Sequence, residues 1–190
     1  MIPNKYIIQF IICIYIIFVV SVFIPITQFG IIPRTSWGLI GILTSPFLHG
    51  GIRHLISNTL PLIALLIILN YFYKQKALSV ITFTIIIGGF FVWLFARNAN
   101  HIGASGLIYG LAAFLIANGF IEKKFVPILI SIGVIFLYGG LIWGVFPSTY
   151  GRVSWESHLF GAIAGILIAF ILKGKKTTTL PLKKRERPIL

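Results

Sequence analysis

The sequence predicts an all-α, polytopic membrane protein: a bundle of six transmembrane helices. Three observations carry that prediction. Of the 190 residues 58% are hydrophobic and 10% charged, and the mean hydropathy is +1.02, whereas soluble domains carry roughly 25% charged residues. Six apolar runs approach the length of about 20 residues that a helix needs to cross some 30 Å of hydrocarbon. Lys and Arg fall in the short gaps between those runs and in a terminal tail.

The first run, near Tyr6 to Ile26, is too long for the apolar core of a secretion signal. No small-x-small cleavage site precedes Pro25, so it is read as a membrane helix. The segment from Thr27 to about Arg53 holds Pro33, Trp37, Pro46, Phe47 and Gly50-Gly51. It is too apolar for a solvated loop and is expected to be structured, lying in or partly within the outer leaflet. The remaining runs lie near Leu55 to Phe72, Leu78 to Phe95, Gly103 to Ile121, Val126 to Val145 and Ser157 to Leu172. Residues 1–172 thus form one transmembrane domain, and residues 173–190 a basic tail expected to be disordered and held at the inner leaflet by charge.

Orientation follows from the basic residues. With the N-terminus inside, the inner side carries Lys5, Lys74, Lys76, Lys123, Lys124, Lys173, Lys175, Lys176, Lys183, Lys184, Arg185 and Arg187, and the outer side only Arg34, Arg53, Arg97 and Arg152. Both termini are therefore expected in the cytoplasm of a prokaryotic cell. The net charge of +13 is explained by topology and anionic lipid rather than by nucleic acid.

Composition excludes much chemistry. The acidic residues are Glu122, Glu156 and Glu186, with no Asp, so neither a carboxylate pair nor a serine-histidine-aspartate triad can form. Cys13 is the lone cysteine, and the histidines follow no metal-binding spacing, so no metal site is expected.

Under this topology helices two, four and six begin together in the outer half of the membrane, where polar side chains are costly unless paired or wetted. Helix two opens with His54 and Asn58, helix four with Gly103-Ala104-Ser105-Gly106 and Tyr109, and helix six with His158. Gly161 and Gly165 follow His158 at intervals of four, and Gly103, Gly106 and Gly110 recur on helix four, a pattern that lets two backbones approach closely. The glycines alone require only packing. With a serine opening one such face and a histidine the other, they point to a dyad in which imidazole takes the hydroxyl proton. Tyr109, one turn beyond Ser105, could orient the imidazole. Candidate oxyanion donors are the free first-turn amide of Ser105, the Asn58 amide and a ring N–H of His54; the lesser alternative, compatible with that role, is that His54 and Asn58 cap or pin the outer loop. His49 and His101 are expected to pin loops, Asn98 and Asn100 to cap helix four, and Trp37, Trp93, Trp143 and Trp155 to anchor or pack. Glu156, two positions from His158, points to another helix face. A transporter or small channel, or a client-binding scaffold, are the competing readings, but the polar residues gather at one end rather than at the midplane.

These motifs resemble those of the rhomboid intramembrane serine proteases. His49-Gly-Gly-Ile-Arg-His54-Leu-Ile-Ser-Asn58 is similar to the family's second-helix motif, Gly103-Ala-Ser105-Gly106 with Tyr109 to its nucleophile motif, and His158-Leu-Phe-Gly161 with Gly165 to its base motif. The resemblance implies Ser105 as nucleophile, His158 as base and an oxyanion site of His54, Asn58 and the Ser105 amide. It also implies single-pass membrane-protein substrates cut near the outer membrane edge, without cofactor, and it leaves oligomeric state open. Helix five, with Tyr138, Gly139-Gly140 and Trp143, is the expected substrate gate. The outer segment departs from the family in lacking an adjacent Trp-Arg pair, offering Arg34 and Trp37 instead.

Overall fold

The computed structural model describes residues 4–147 and 154–173; the basic tail beyond Lys173 lies outside them. The first helix, α1 (Asn4–Phe23), leads through a single 3-10 turn into a long connection, which contains the short helix α2 (Gly41–Thr44). Helix α3 (Ile52–Phe72) follows, then one helical stretch from Ala77 to Phe95 made of α4 (Ala77–Phe83), a π turn (Thr84–Gly88) and α5 (Gly89–Phe95). Helix α6 (Ser105–Glu122), helix α7 (Phe125–Tyr138) with a 3-10 extension (Gly139–Val145), and α8 (Trp155–Ile171) complete the order. Among the described residues the extended structure recorded is one bridge, between Ile31 and His101.

Among the described residues five stretches are long and apolar enough to cross a membrane: Lys5–Phe23, Ile52–Phe72, Ala77–Phe95, Ser105–Glu122 and Phe125–Val145. The sixth expected crossing is α8, whose 17 residues cover about 26 Å at 1.5 Å per residue, short of the ~30 Å hydrocarbon core.

Lipid and neighbouring helices divide the apolar surface unequally. Helix α6 is the most buried span and α1 the least, so α6 is the axis about which the bundle is built. Its principal partner is α8, and the reason is glycine. A Cβ on Gly161 would strike the Gly106 carbonyl oxygen, and one on Gly165 the Gly110 carbonyl oxygen. In return, a Cβ on Gly110 would sit 2.9 Å from the Gly161 oxygen. Lipid tails are as apolar as leucine, so what holds two such helices together is close packing of backbone on backbone. The π turn joins the same contact, with buried Thr84 against Gly110 and Gly88 against Gly161. Leu107, Leu111, Phe114 and Leu115 of α6 meet Leu62, Leu65 and Leu69 of α3 in the main apolar core.

The helix ends differ from the sequence reading in two places. Helix α6 begins at Ser105 rather than Gly103 because Gly103 has φ +116°, a conformation that stops the helix and that L side chains rarely adopt. Its N-cap is Ala104, without a side-chain cap. Asn100 does not cap it: its amide donates instead to the Thr27 carbonyl at 2.8 Å, tying the loop before α6 to the loop after α1.

Candidate active site

The imidazole of His158 lies in the first turn of α8 and is 6% exposed. Its Nδ1 is 2.9 Å from the carbonyl oxygen of Gly144. A carbonyl can only accept, so Nδ1 carries the hydrogen, and Nε2 of the neutral ring keeps its lone pair. The ring of Tyr109 stacks on the imidazole with centroids 4.1 Å apart and planes 5° from parallel. Three elements, α6, α8 and the 3-10 extension of α7, thus fix one side chain. Gly144 must be a glycine for this to happen, because a Cβ there would collide with the Tyr109 hydroxyl and stand 3.0 Å from His158 Nδ1.

Ser105 opens α6 and is 8% exposed. The first internal bond at this helix end is Ile108 N–H to the Ala104 carbonyl at 3.0 Å, so the amides of Ser105, Gly106 and Leu107 are the unsatisfied first-turn donors. Gly106 lies against the first turn of α8: a Cβ there would stand 3.2 Å from the Ser157 carbonyl oxygen. The contact that packs α6 on α8 therefore also sets the start of one helix, with its serine, against the start of the other, with its histidine.

His54 and Asn58, one turn apart on α3, face the turn before Ser105. A Cβ on Gly103 would be 2.7 Å from His54 Nε2 and 3.6 Å from Asn58 Nδ2, so positive φ and close approach both require glycine there. Asn58 Nδ2 is 3.1 Å from Nε2 of His49. An amide NH₂ only donates, so it occupies the lone pair of His49 with one hydrogen and retains the other. His49 is 1% exposed and meets His54 edge to face at 5.0 Å. Burial, reinforced by the neighbouring charge of His54, lowers the His49 pKa to about 4. His49 therefore stays neutral and holds the two α3 side chains in place.

A second polar group braces the same end of the bundle. His101 is fully buried, and its Nε2–H donates to the Arg97 carbonyl at 3.0 Å. Its Nδ1 accepts from the Ser154 hydroxyl at 2.6 Å. Ser154 is the N-cap of α8, accepting from Ser157 N–H at 3.2 Å. The backbone of His101 pairs with Ile31 through bonds of 2.9 and 3.0 Å. Glu156 is 2% exposed and lies 3.4 Å from Arg97 Nε, at the helix end where a negative charge is favoured. The connection that holds α2 is pinned as well: Arg34 donates to the Leu94 and Ala96 carbonyls at 3.3 and 2.8 Å, and the Trp93 indole donates to the Thr35 carbonyl at 2.8 Å. Arg34 thereby caps the C-terminal end of α5 from a left-handed backbone position, φ 58°.

Sequence reasoning missed Gly144 and Ser154. Gly144 acts through a carbonyl, which leaves no mark in a motif, and Ser154 could have been found as an N-cap three residues before Ser157. Among the described residues no group of three or more His, Cys, Asp or Glu that could hold a metal ion is found.

The fold and this cluster define a class: a polytopic helical membrane protein with a buried serine, histidines and an asparagine collected at adjoining helix starts. Comparison with known proteins agrees. The Rhomboid domain model matches residues 36–175. The chain is 36% identical over 163 residues to an uncharacterized protein of Mycobacterium tuberculosis, covering 82% of this chain and 68% of that one. An uncharacterized protein of Mycobacterium leprae is 36% identical over 152 residues, 76% of this chain and 60% of the relative. RHOMBOID-like protein 4 of Arabidopsis thaliana is 28% identical over 137 residues, 69% of this chain and 33% of that protein. The chain belongs to the rhomboid family.

Proposed function

We propose that this protein is an intramembrane serine endopeptidase that cuts single-pass transmembrane proteins near the outer membrane face. The observation that supports it most is the clamp on His158. With Nδ1–H given to the Gly144 carbonyl, the free lone pair is on the nitrogen that a serine base must use. In this mechanism the Ser105 hydroxyl attacks the scissile carbonyl while His158 Nε2 takes its proton. The tetrahedral oxyanion receives hydrogen bonds from the Ser105 amide, the spare Asn58 N–H and His54. His158 then returns the proton to the leaving amine, and water repeats the sequence on the acyl-serine. Tyr109 and Gly144 supply the orientation that a triad carboxylate would give.

The excess of Lys and Arg at one end of the bundle supports termini in the cytoplasm and a site opening to the opposite side, in a bacterial cell membrane. The test is cleavage of a transmembrane reporter by purified protein in proteoliposomes. Wild type cleaves, and Ser105→Ala does not while keeping its melting temperature. Undiminished cleavage by Ser105→Ala would refute the proposal.

A further inference from the structure

At the end of the bundle opposite His158, the turn between α3 and α4 and the turn between α6 and α7 enclose a cavity of about 340 Å³ lined by Lys74, Lys76, Lys124 and Glu122. Two of these charges cancel: Lys76 Nζ is 3.1 Å from Glu122 Oε1, and Asn118, one turn back on α6, donates to the same oxygen at 3.0 Å. Lys74 and Lys124 are exposed and form no salt bridge among the described residues, although the Lys124 charge also acts on Glu122. Two lysines from different turns thus meet over one hollow, and loops merely obeying charge asymmetry would have no need to converge.

Apart from Gln75, the remaining wall is aromatic and apolar, with Tyr71, 78% exposed, on one side and Val126, Pro127 and Ile130 of α7 on the other. Tyr71 also lines a second, apolar groove of about 680 Å³ between α1 and α3, with Ile8, Ile12, Ile63 and Ile67. From Ile63 to Tyr71 that groove follows about 12 Å of helix axis, most of the depth of one leaflet, which is half of ~30 Å. A cationic hollow and an apolar trough most of one leaflet deep, both bordered by Tyr71, together have the shape and polarity of a phospholipid.

We propose that Lys74 and Lys124 bind the phosphate of an anionic phospholipid whose acyl chain lies between α1 and α3. The site lies at the far end of the helices from Ser105, so it goes beyond the proposed peptidase reaction and does not depend on it. Lipid is held by charge at one end and by apolar contact along the other, so neither a zwitterionic lipid nor a free anion satisfies both parts.

Native mass spectrometry of the full-length protein in neutral detergent tests the assignment. Titration with phosphatidylglycerol is expected to give one retained lipid, with phosphatidylcholine much less at equal concentration. Lys74→Gln/Lys124→Gln is expected to weaken phosphatidylglycerol binding about 30-fold, while Arg53→Gln/Lys173→Gln, with the same loss of charge, leaves it unchanged. Both pairs are exposed, and a melting curve checks folding. Equal retention of the two lipids, or equal weakening by the two double variants, would overturn the proposal. Displacement of the lipid by millimolar inorganic phosphate would assign the lysines to a free anion and overturn it as well.

Discussion

Replacing Gly144 with alanine tests the imidazole clamp with a single methyl group. The added carbon would overlap the Tyr109 hydroxyl and stand 3.0 Å from His158 Nδ1, so the 3-10 segment and the Tyr109 ring must move apart by roughly 1.5 Å to restore ordinary contact. Withdrawal stretches the 2.9 Å bond from Nδ1 to the Gly144 carbonyl beyond hydrogen-bonding range. The lost bond is worth about 1 kcal/mol net, and with it goes the preference for the hydrogen on Nδ1. A base displaced by about 1 Å costs on the order of 100-fold in rate. The segment lies at the rim of the bundle and can yield, so stability should fall by no more than about 1 kcal/mol. Steady-state kinetics on a transmembrane reporter should therefore show kcat reduced about 100-fold, with KM within a factor of three. A kcat within threefold of wild type, at unchanged melting temperature, would refute the argument that Gly144 sets the base.

Three further outcomes follow from the same geometry. Gly161→Val drives a branched side chain into the Gly106 carbonyl and should destabilise the bundle by about 1–3 kcal/mol and abolish cleavage; wild-type melting and activity would contradict the helix-packing account. Asn58→Ala removes a candidate oxyanion donor and should lower kcat by about 100- to 1,000-fold with little change in KM, measured on the same reporter. The pKa of His49, about 4 when folded against the ordinary 6.5, means that the unfolded chain takes up this proton first as pH falls. Its contribution is whole above pH 6.5 and is lost between 6.5 and 4, at most about 3 kcal/mol. Melting temperature should fall across that window in wild type and less steeply in His49→Gln.

Much of the fold is legible because hydropathy alone locates the principal helices: the apolar runs read from the sequence coincide, within a few residues, with α1, α3, the α4–α5 stretch, α6, α7 with its extension, and the shorter α8. What the runs do not specify is local conformation. The π turn at Thr84–Gly88 and the change from α to 3-10 after Tyr138 depend on contacts with other helices rather than on hydropathy. Gly144 belongs to that second irregularity. The sequence draws attention to Gly139-Gly140 instead, where a Cβ on Gly140 would meet nothing within 4 Å. Residues that act through side chains, such as His158 and Asn58, are conspicuous against an apolar background. Residues that act through backbone carbonyls are not. Glu156 is a different case: its spacing from His158 excludes a shared helix face, but a distant arginine, Arg97, reaches it from the α5–α6 connection, and no local spacing encodes such a partner.

The central claim is that a hydroxyl on α6 is activated by an imidazole on α8. Labelling of the purified protein by a fluorophosphonate, followed by peptide mapping, tests it most directly. The account predicts modification of Ser105 in wild type and its loss in His158→Ala; labelling at another residue, or undiminished labelling of Ser105 without the histidine, would contradict it.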